Sequence, residues 1–272
     1  MPLGFQTKHI LEEGRMGQPG TGLGISRVWA VVLAAFLLIH ATPGRAVKVD
    51  LELVFAVDGS GSIDEGEFKY QRQGYAYAIT DKQVLAAITS GAQRKVAMAF
   101  VEWGGEGSVH TIVDWAVIHD AASAKAFAGR LLRAPRQAFG YNTISGAILH
   151  AAAMMRTNTY EGKRQVIDVS GDGPQIGGPP LPPARALAIA QGITINGLVV
   201  AFRGRVVGGG GGEALAAHYR RDVIGGRGAF VIIADRKEYF AEAILHKMVR
   251  EIAGRPPVVQ SAQRSEKFKI FQ

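Results

Sequence analysis

The sequence predicts a doubly wound α/β fold, in which a mainly parallel sheet carries helices on both of its faces. Short apolar segments alternate with longer amphipathic segments along most of the chain, as they do in βαβ units. The apolar run 51–57 is β-branched and aromatic and ends at glycine, which is typical of a buried strand. A glycine-rich stretch, 104–108, joins two further apolar segments and suits a hairpin. The hairpin adds one antiparallel edge strand to the predicted sheet.

Six strands are expected at apolar segments that end in glycine or polar residues. In chain order they cover residues 51–57, 95–103, 109–118, 164–170, 193–201 and 229–234. The third of these alternates apolar and polar residues, as a half-exposed edge strand does. The other strands are apolar enough to be covered on both faces by helices.

Seven helices are expected between and after these strands. They cover residues 64–80, 83–88, 123–132, 143–155, 184–191, 213–221 and 237–252. In the first helix, Phe68 and Tyr75 belong to an inward face with three- and four-residue spacing, and carboxylates occupy its first turn. Residues 133–142 and 174–183 are interpreted as loops, and residues 208–212 as a flexible glycine run.

The chain is expected to contain one folded domain, residues 47–253, between an export segment over residues 1–46 and a polar tail over residues 254–272. Arg27 precedes an apolar run, 28–39, which is followed by small residues. This order is typical of a secretory signal, and the run is short for a membrane-spanning helix. We therefore expect a periplasmic or secreted protein with no stable membrane span after signal removal. An uncleaved anchor and a buried helix remain alternatives.

The composition excludes several kinds of site and partner. The chain has no cysteine, which rules out disulfides, a thiolate metal site and a cysteine nucleophile. Its formal net charge is +8, but the basic residues are scattered and match no nucleic-acid-binding motif. We therefore expect no nucleic-acid partner.

The stretch that follows the first strand carries the strongest chemical signal. Asp58, Ser60 and Ser62 are three oxygen donors in five residues, separated by glycines that allow a tight loop. Ligands of open α/β sheets bind at the carboxyl ends of strands, where this loop lies. Such oxygen donors suit a hard cation such as Mg²⁺. A turn that binds nothing is the alternative, because aspartate, serine and glycine are ordinary turn residues.

Two further oxygen-bearing residues are expected at the same edge of the sheet. Thr143 begins a predicted helix, where it could also be a simple N-cap. Asp172 follows the fourth predicted strand. The first and fourth strands can be neighbours where the strand order reverses, so the loops after them would share one crevice.

These three motifs together resemble a von Willebrand factor type A (vWA) domain with its metal-ion-dependent adhesion site. The sequence supplies Asp58-Gly-Ser-Gly-Ser62, a Thr143-Ile-Ser-Gly-Ala-Ile-Leu helix start and Gly171-Asp-Gly, in the family's order. The strand and helix order fits over about residues 49–253. Residues 166–173 and 193–198 resemble a bacterial exported branch of uncharacterised function. The resemblance implies a Rossmann-like vWA fold.

The resemblance also implies a role for each of the five residues. Ser60 and Ser62 would bind Mg²⁺ or Mn²⁺ directly, and Thr143 directly or through water. Asp58 and Asp172 would act mostly through water. Neutral hydroxyls leave the cation electrophilic, so a glutamate or aspartate of a protein partner can complete its octahedral coordination. Asn142, beside Thr143, could support the ligand residues from behind, but it is interpreted as a turn residue.

Other functions compete with this adhesion-type module. A haloacid-dehalogenase-like phosphatase would need a second aspartate where Ser60 stands, so general acid catalysis has no carrier. A serine hydrolase is disfavoured because Asp58 takes the place of the glycine before the nucleophile. His150 and His218 are interpreted as helix-surface residues rather than bases. A structural domain with an inactive metal site is the third alternative.

Two polar residues lie inside strands that should be apolar. Asp168 and Asn196 are expected on neighbouring central strands, hydrogen-bonded to each other or to the loops above. A structural network is the favoured interpretation over a ligand role. Trp103 and Trp115 are interpreted as core or edge-strand packing residues rather than as part of the crevice rim.

Overall fold

The computed structural model describes residues 46–202 and 211–254. The predicted export segment, apart from Ala46, and the tail beyond Gly254 lie outside the described residues, and both stay predictions. Most of the predicted glycine run also lies outside them, although Gly211 and Gly212 open a helix. Within the described ranges, no helix combines the length and the apolar character that a membrane span needs.

A six-stranded sheet in the order β4-β3-β2-β6-β7-β8 forms the centre of the fold. Its strands are β2 (Leu51–Asp58), β3 (Val96–Trp103), β4 (Val109–Ile118), β6 (Gln165–Gly171), β7 (Thr194–Val200) and β8 (Val231–Ala234). All neighbours pair in parallel except β3 and β4. The predicted fold class is therefore confirmed, including its antiparallel edge strand.

Two short strands were not predicted. Val47–Val49 (β1) and Tyr160–Gly162 (β5) pair in parallel as a separate two-stranded sheet. Each has three residues, which is too short for a period-two pattern to be visible. The strand that Asp172 follows is consequently β6 rather than the fourth of the chain.

Helices cover both faces of the sheet. They are α1 (Glu65–Thr80), α2 (Lys82–Thr89), α3 (Ala121–Arg133), α4 (Ile144–Thr157), α5 (Leu181–Ala190), α6 (Gly211–His218), a π-helical turn (Tyr219–Val223), a 3₁₀ turn (Lys237–Tyr239) and α7 (Phe240–Ala253). Asp64 caps α1 through a capping box with Glu67. The start predicted for α5 is three residues late, because prolines are tolerated in a first helical turn.

The side chains of β2 alternate between two apolar cores. Leu53 and Phe55 pack on the face covered by α1 and α7, where they meet Tyr75. Val54 and Ala56 pack on the opposite face, against α4. This alternation buries β2 completely and fixes its register. The register also fixes the position of Asp58 at the end of the strand.

Asp168 and Asn196 are neighbours, as predicted, but their hydrogen bonds go elsewhere. The two residues are register partners on β6 and β7. The Asn196 amide donates to Glu251 Oε1 at 2.9 Å, and Asp168 Oδ1 lies 2.6 Å from Lys247 Nζ. Lys247 also pairs with Glu251. The buried network was predicted, but its two partners on α7 were not.

The two tryptophans pack as the sequence indicates. Trp103 is fully buried, and its indole N–H donates to the Ala56 carbonyl at 3.0 Å. Trp115, on the edge strand β4, packs against Tyr160, with ring centroids 5.9 Å apart. Neither ring therefore belongs to the rim of the candidate site.

Candidate functional site

The first element of the site is the loop that leaves β2. Asp58 ends the strand, and its Oδ1 accepts the backbone N–H of Ser60 at 2.7 Å. Arg136 holds the same loop from outside, donating to the carbonyls of Gly59 at 2.8 Å and Ser60 at 2.6 Å. The loop is thus held by a hydrogen bond within it and by hydrogen bonds from Arg136. Arg136 was not singled out in the sequence, because nothing local links it to a loop 76 positions earlier.

The serine hydroxyls connect this loop to the loop after β6. Ser60 Oγ and Ser62 Oγ lie 2.9 Å apart, and Ser62 Oγ donates to Asp172 Oδ1 at 3.0 Å. The two loops meet because β2 and β6 are parallel neighbours, with Val57 opposite Ser170. Four of the five predicted site residues therefore lie in one cluster.

The carboxylates of this cluster carry more negative charge than the protein itself neutralises. Burial, and then the nearby carboxylate of Asp172, raise the pKa of Asp58 to about 7. Burial also raises the pKa of Asp172, partly offset by the hydrogen bond from Ser62. Asp58 Oδ2 is buried and has no hydrogen-bond partner. A cation between these groups would satisfy the oxygen and relieve the repulsion.

Thr143 lies on the neighbouring loop and caps α4. Its Oγ1 accepts the N–H of Gly146 at 3.3 Å, and its own N–H donates to the Gly104 carbonyl at 2.7 Å. The N-capping role allowed by the sequence is thus present. Within the described ranges, no hydrogen bond joins the Thr143 side chain to the other four site residues. Its role as a metal ligand stays a prediction.

The loop that the sequence predicts after Gly173 covers Thr143. Gly178 adopts a left-handed conformation with φ of +84°, and a Cβ placed there would lie 2.1 Å from Thr143 Oγ1. Thr143 is 1% exposed. Only a residue without a side chain fits so close to the hydroxyl. We call residues 174–180 the cover loop.

Gln175 and Asn142 hold the cover loop in place. The Gln175 side chain accepts from the backbone of Ser145 at 2.9 Å and donates to the Ser145 hydroxyl at 2.6 Å. The Asn142 side chain donates to the Pro174 carbonyl at 3.1 Å, while its backbone carbonyl accepts from Ile176 at 3.0 Å. The interpretation of Asn142 as a plain turn residue is wrong, because it is buried and anchors this loop.

Exposed apolar side chains lie on the two loops next to the cluster, one of which accepts the Gly61 N–H at the Gly140 carbonyl. Phe139, Tyr141 and Ile176 are 63%, 61% and 57% exposed. The Tyr141 ring lies beside Gly61, and Ile176 belongs to the cover loop. We call these three residues the apolar rim. Large side chains left in water beside a polar cluster are typical of a surface that binds a partner.

The donor set fits a hard cation better than any other group. The five predicted residues offer three hydroxyls and two carboxylates, the oxygen ligands that Mg²⁺ and Mn²⁺ prefer. In the described part of the chain, no group of three or more His, Cys, Asp or Glu side chains could hold a metal. A cation at this edge of the sheet would therefore depend on the hydroxyls as well as on the two aspartates.

The histidines do not complete a catalytic site. His150 Nε2 is hydrogen-bonded to Thr111 at 2.8 Å, and His218 Nδ1 to Asp222 at 2.8 Å. Across residues 46–202 and 211–254, no histidine hydrogen-bonds to Ser60 or Ser62. A serine nucleophile would need such a base.

Comparison with known proteins places the chain in a family and a fold. A family model described as "Protein of unknown function (DUF1194)" matches residues 48–256. No curated protein matches. The solved structures that match include vWA domains, and the fold of the described residues is that of a vWA-like domain.

Three of these structures illustrate the likeness. The open conformation of the pilus adhesin SpaC from Lactobacillus rhamnosus GG matches with a TM-score of 0.56 and 15% identity, covering 77% of this chain and 31% of SpaC. A vWA protein from Catenulispora acidiphila matches with a TM-score of 0.53 and 16% identity, over 75% of this chain and 43% of that one.

Proximal thread matrix protein 1 from the mussel byssus, described with a zinc-occupied MIDAS motif, matches with a TM-score of 0.52 and 11% identity. The match covers 76% of this chain and 49% of that protein. This chain therefore spans between about a third and a half of the length of the structures it matches. At such identities the likeness concerns the fold.

Proposed function

This chain belongs to the DUF1194 family of proteins of unknown function, and we propose that its domain is a metal-dependent binding module of the adhesion type. In this proposal a divalent cation, Mg²⁺ or Mn²⁺, lies among Asp58, Ser60, Ser62, Thr143 and Asp172. The bound cation supplies an electrophilic position for a carboxylate from a protein partner. The observation that carries the proposal is the hydrogen bond from Ser62 to Asp172 beside the unpartnered Oδ2 of Asp58.

Each residue has a distinct task in this account. Ser60 and Ser62 present neutral oxygens and are already oriented by each other and by Asp172. Asp58 and Asp172 balance the charge of the cation, which would lower the pKa values that burial raises. Thr143 would bind the cation directly or through water.

The partner is expected to be a protein segment in which a glutamate or aspartate is flanked by large apolar side chains. The apolar rim of Phe139, Tyr141 and Ile176 supports this expectation, since a carboxylate at the centre brings neighbouring side chains onto those residues. In protein interfaces a few residues near the centre carry most of the affinity. Here the partner's acidic residue would be at the centre, with apolar contacts around it. The adhesin among the structural relatives is consistent with binding.

Binding is favoured over catalysis by the chemistry of the cluster. Ser60 occupies the position where a haloacid-dehalogenase-like phosphatase needs its second aspartate, and among the described residues no histidine contacts the cluster through a hydrogen bond. The cluster can therefore hold a cation and a carboxylate. Its one carboxyl with a pKa near 7, Asp58, is buried, and a bound cation would keep it ionised rather than leave it as a proton donor. We propose accordingly that the protein is not an enzyme.

Export is part of the same proposal. The basic flank and short apolar run of residues 27–39 support a periplasmic or secreted location. A binding module for another protein's carboxylate is compatible with that location.

Selection of peptides tests the proposal directly. A random peptide library would be selected on the immobilised protein in Mg²⁺ and eluted with EDTA. We expect the eluted peptides to contain Glu or Asp beside large apolar residues, and to bind Phe139→Ser and Ile176→Ser at least several-fold more weakly. Leu187→Ser, which changes an equally large exposed residue on α5, is the matched control. Peptides that lack an acid, or that EDTA does not release, would overturn the proposal.

A further inference from the structure

A cavity of about 810 Å³ lies at the edge of the sheet opposite the candidate metal site. It is bordered by the starts of β6 and β7, by the residues before β8 and by the end of α7. Seven residues of β6, from Gln165 to Gly171, separate it from Asp172, which is roughly 20 Å along an extended strand. Nothing in the metal-dependent function uses this cavity.

Basic side chains line this cavity. Lys163, Arg164, Arg227 and Arg250 all border it, against one acidic residue, Glu251. We call it the basic pocket. Four cationic groups around one concave surface produce a positive potential that attracts anions.

Most of this positive charge is not neutralised by the protein. Within the described ranges, Lys163, Arg227 and Arg250 form no ion pair. Arg164 is fixed instead by backbone carbonyls, donating to Glu251 at 2.7 Å and Ile252 at 2.5 Å. Cationic groups that have no carboxylate partner and that share a cavity are available for an anionic ligand.

The side chains of Arg164 and Arg250 are held in place by contacts with the rest of the protein. The Arg250 guanidinium lies 3.7 Å from the centroid of the Phe230 ring, and both residues border the pocket. A stacked guanidinium keeps its N–H groups in a fixed plane. Together with the anchored Arg164, it gives the pocket two cationic groups that are held in place, and the Arg250 guanidinium has the paired N–H groups that suit the oxygens of a phosphate.

The acidic residue of the pocket is already engaged. Glu251 is 2% exposed, and its Oε1 accepts from Asn196 and pairs with Lys247. Lys247 carries one positive charge against the two carboxylates of Glu251 and Asp168, so at most one negative charge remains to oppose the four cationic groups. The other oxygen of Glu251, Oε2, is buried without a hydrogen-bond partner at the wall of the pocket.

We propose that the basic pocket binds a small soluble ligand that carries two or more phosphate charges. The volume lies within the range of small-molecule sites. The Arg250 guanidinium supplies paired donors, Arg164 supplies a fixed positive charge, and Lys163 and Arg227 supply further charge at the exposed mouth. The site is independent of the cation among Asp58, Ser62 and Asp172.

Titration with inorganic pyrophosphate in EDTA tests this assignment, since the chelator removes any contribution from a metal. We expect saturable binding at one site per chain, weakened about ten-fold or more in Arg227→Gln and in Lys163→Gln. Lys125→Gln, a charge-matched exposed lysine on α3, and Asp58→Ala should bind as the wild type does. Circular dichroism and thermal melting would verify that each variant is folded.

The proposal would be overturned by absence of saturable binding to the wild type, by equal weakening in Lys125→Gln, or by binding to vesicles containing phosphatidylglycerol without binding to pyrophosphate. The last result would identify a lipid headgroup rather than a soluble ligand. Loss of pyrophosphate binding in Asp58→Ala alone would instead assign the anion to the other edge of the sheet, which also contradicts the proposal.

Discussion

The Ser62 hydroxyl donates a hydrogen bond of 3.0 Å to Oδ1 of Asp172, which lies 110 positions further along the chain. This bond joins the loop after β2 to the loop after β6. The parallel pairing of the two strands sets the distance, because Val57 and Ser170 are opposite each other one step below the loops. The serine that would face a cation is thus oriented by a carboxylate that would balance the cation's charge.

Asp172→Asn should relieve the charge repulsion within the cluster and also abolish its stabilisation by Mg²⁺. Without metal at pH 8, the variant removes the repulsion between Asp172 and Asp58, and we expect it to be as stable as the wild type or more stable by about 1 kcal/mol. In Mg²⁺ the rise in melting temperature expected of the wild type should disappear. Thermal melting in EDTA and in Mg²⁺ measures both effects.

Asp235→Asn, which changes an exposed aspartate after β8, should keep the Mg²⁺-dependent rise. The account of the cluster is contradicted if Mg²⁺ raises the melting temperature of Asp172→Asn by as much as it raises that of the wild type.

Gly178→Ala should displace the cover loop. The left-handed φ of +84° disfavours any side chain, and the new Cβ would collide with Thr143 Oγ1. We expect the variant to lose on the order of 1–3 kcal/mol of unfolding free energy, measured by urea denaturation.

Gly177→Ala is the matched control, because a Cβ at Gly177 meets nothing within 4 Å. Its stability should change little. Equal stability of the two variants would mean that the cover loop does not press on Thr143.

Glu251→Gln should change how stability depends on pH. Lys247 can neutralise only one of the two buried carboxylates beside it, Asp168 and Glu251. Burial, and then Asp168, raise the pKa of Glu251 from 4.5 to about 7. The protonated form is therefore favoured by folding, and this contribution is complete below pH 4.5 and lost as the pH rises through 7.

Glutamine does not ionise, so the variant does not lose this stability as the pH rises. Relative to the wild type, it should gain on the order of 1–3 kcal/mol of unfolding free energy between pH 5 and pH 8. Denaturation at both pH values measures the change, with the exposed Glu161→Gln as control. A difference between Glu251→Gln and wild type that is the same at both pH values would refute the raised pKa of Glu251.

Arg72→Met should destabilise the protein more than the combined change Arg72→Met/Glu102→Gln. The two side chains are 4% and 1% exposed, and Arg72 Nε donates to Glu102 Oε1 at 2.9 Å. Removing the arginine alone leaves a buried carboxylate unpaired, at a cost of about 3–5 kcal/mol. Urea denaturation of both variants measures the difference, and a double variant no more stable than the single one would contradict this explanation.

The sequence predicted those parts of the site that depend on strand ends. The apolar run before Asp58 and the one before Asp172 each end in glycine, so the positions of both carboxylates follow from the strand pattern. The pairing of Asp168 with Lys247 did not follow, because Lys247 occupies an ordinary polar position in an amphipathic helix sequence. Only the packing of α7 against the sheet buries it.

The cover loop was beyond prediction for a related reason. Residues 174–180 contain glycine and proline without periodicity, which indicates a loop but not where the loop lies. Its position depends on hydrogen bonds from Gln175 and Asn142 to parts of the chain about 30 residues away. The strands β1 and β5 escaped prediction because three residues show no pattern.

Calorimetric titration of Mg²⁺ and Mn²⁺ into the protein tests the central claim most directly. The account predicts saturable binding at one site in the wild type and in Asp235→Ala, and its loss in Asp58→Ala and in Asp172→Ala. Absence of saturable binding in the wild type, or unchanged binding in both site variants, would contradict it.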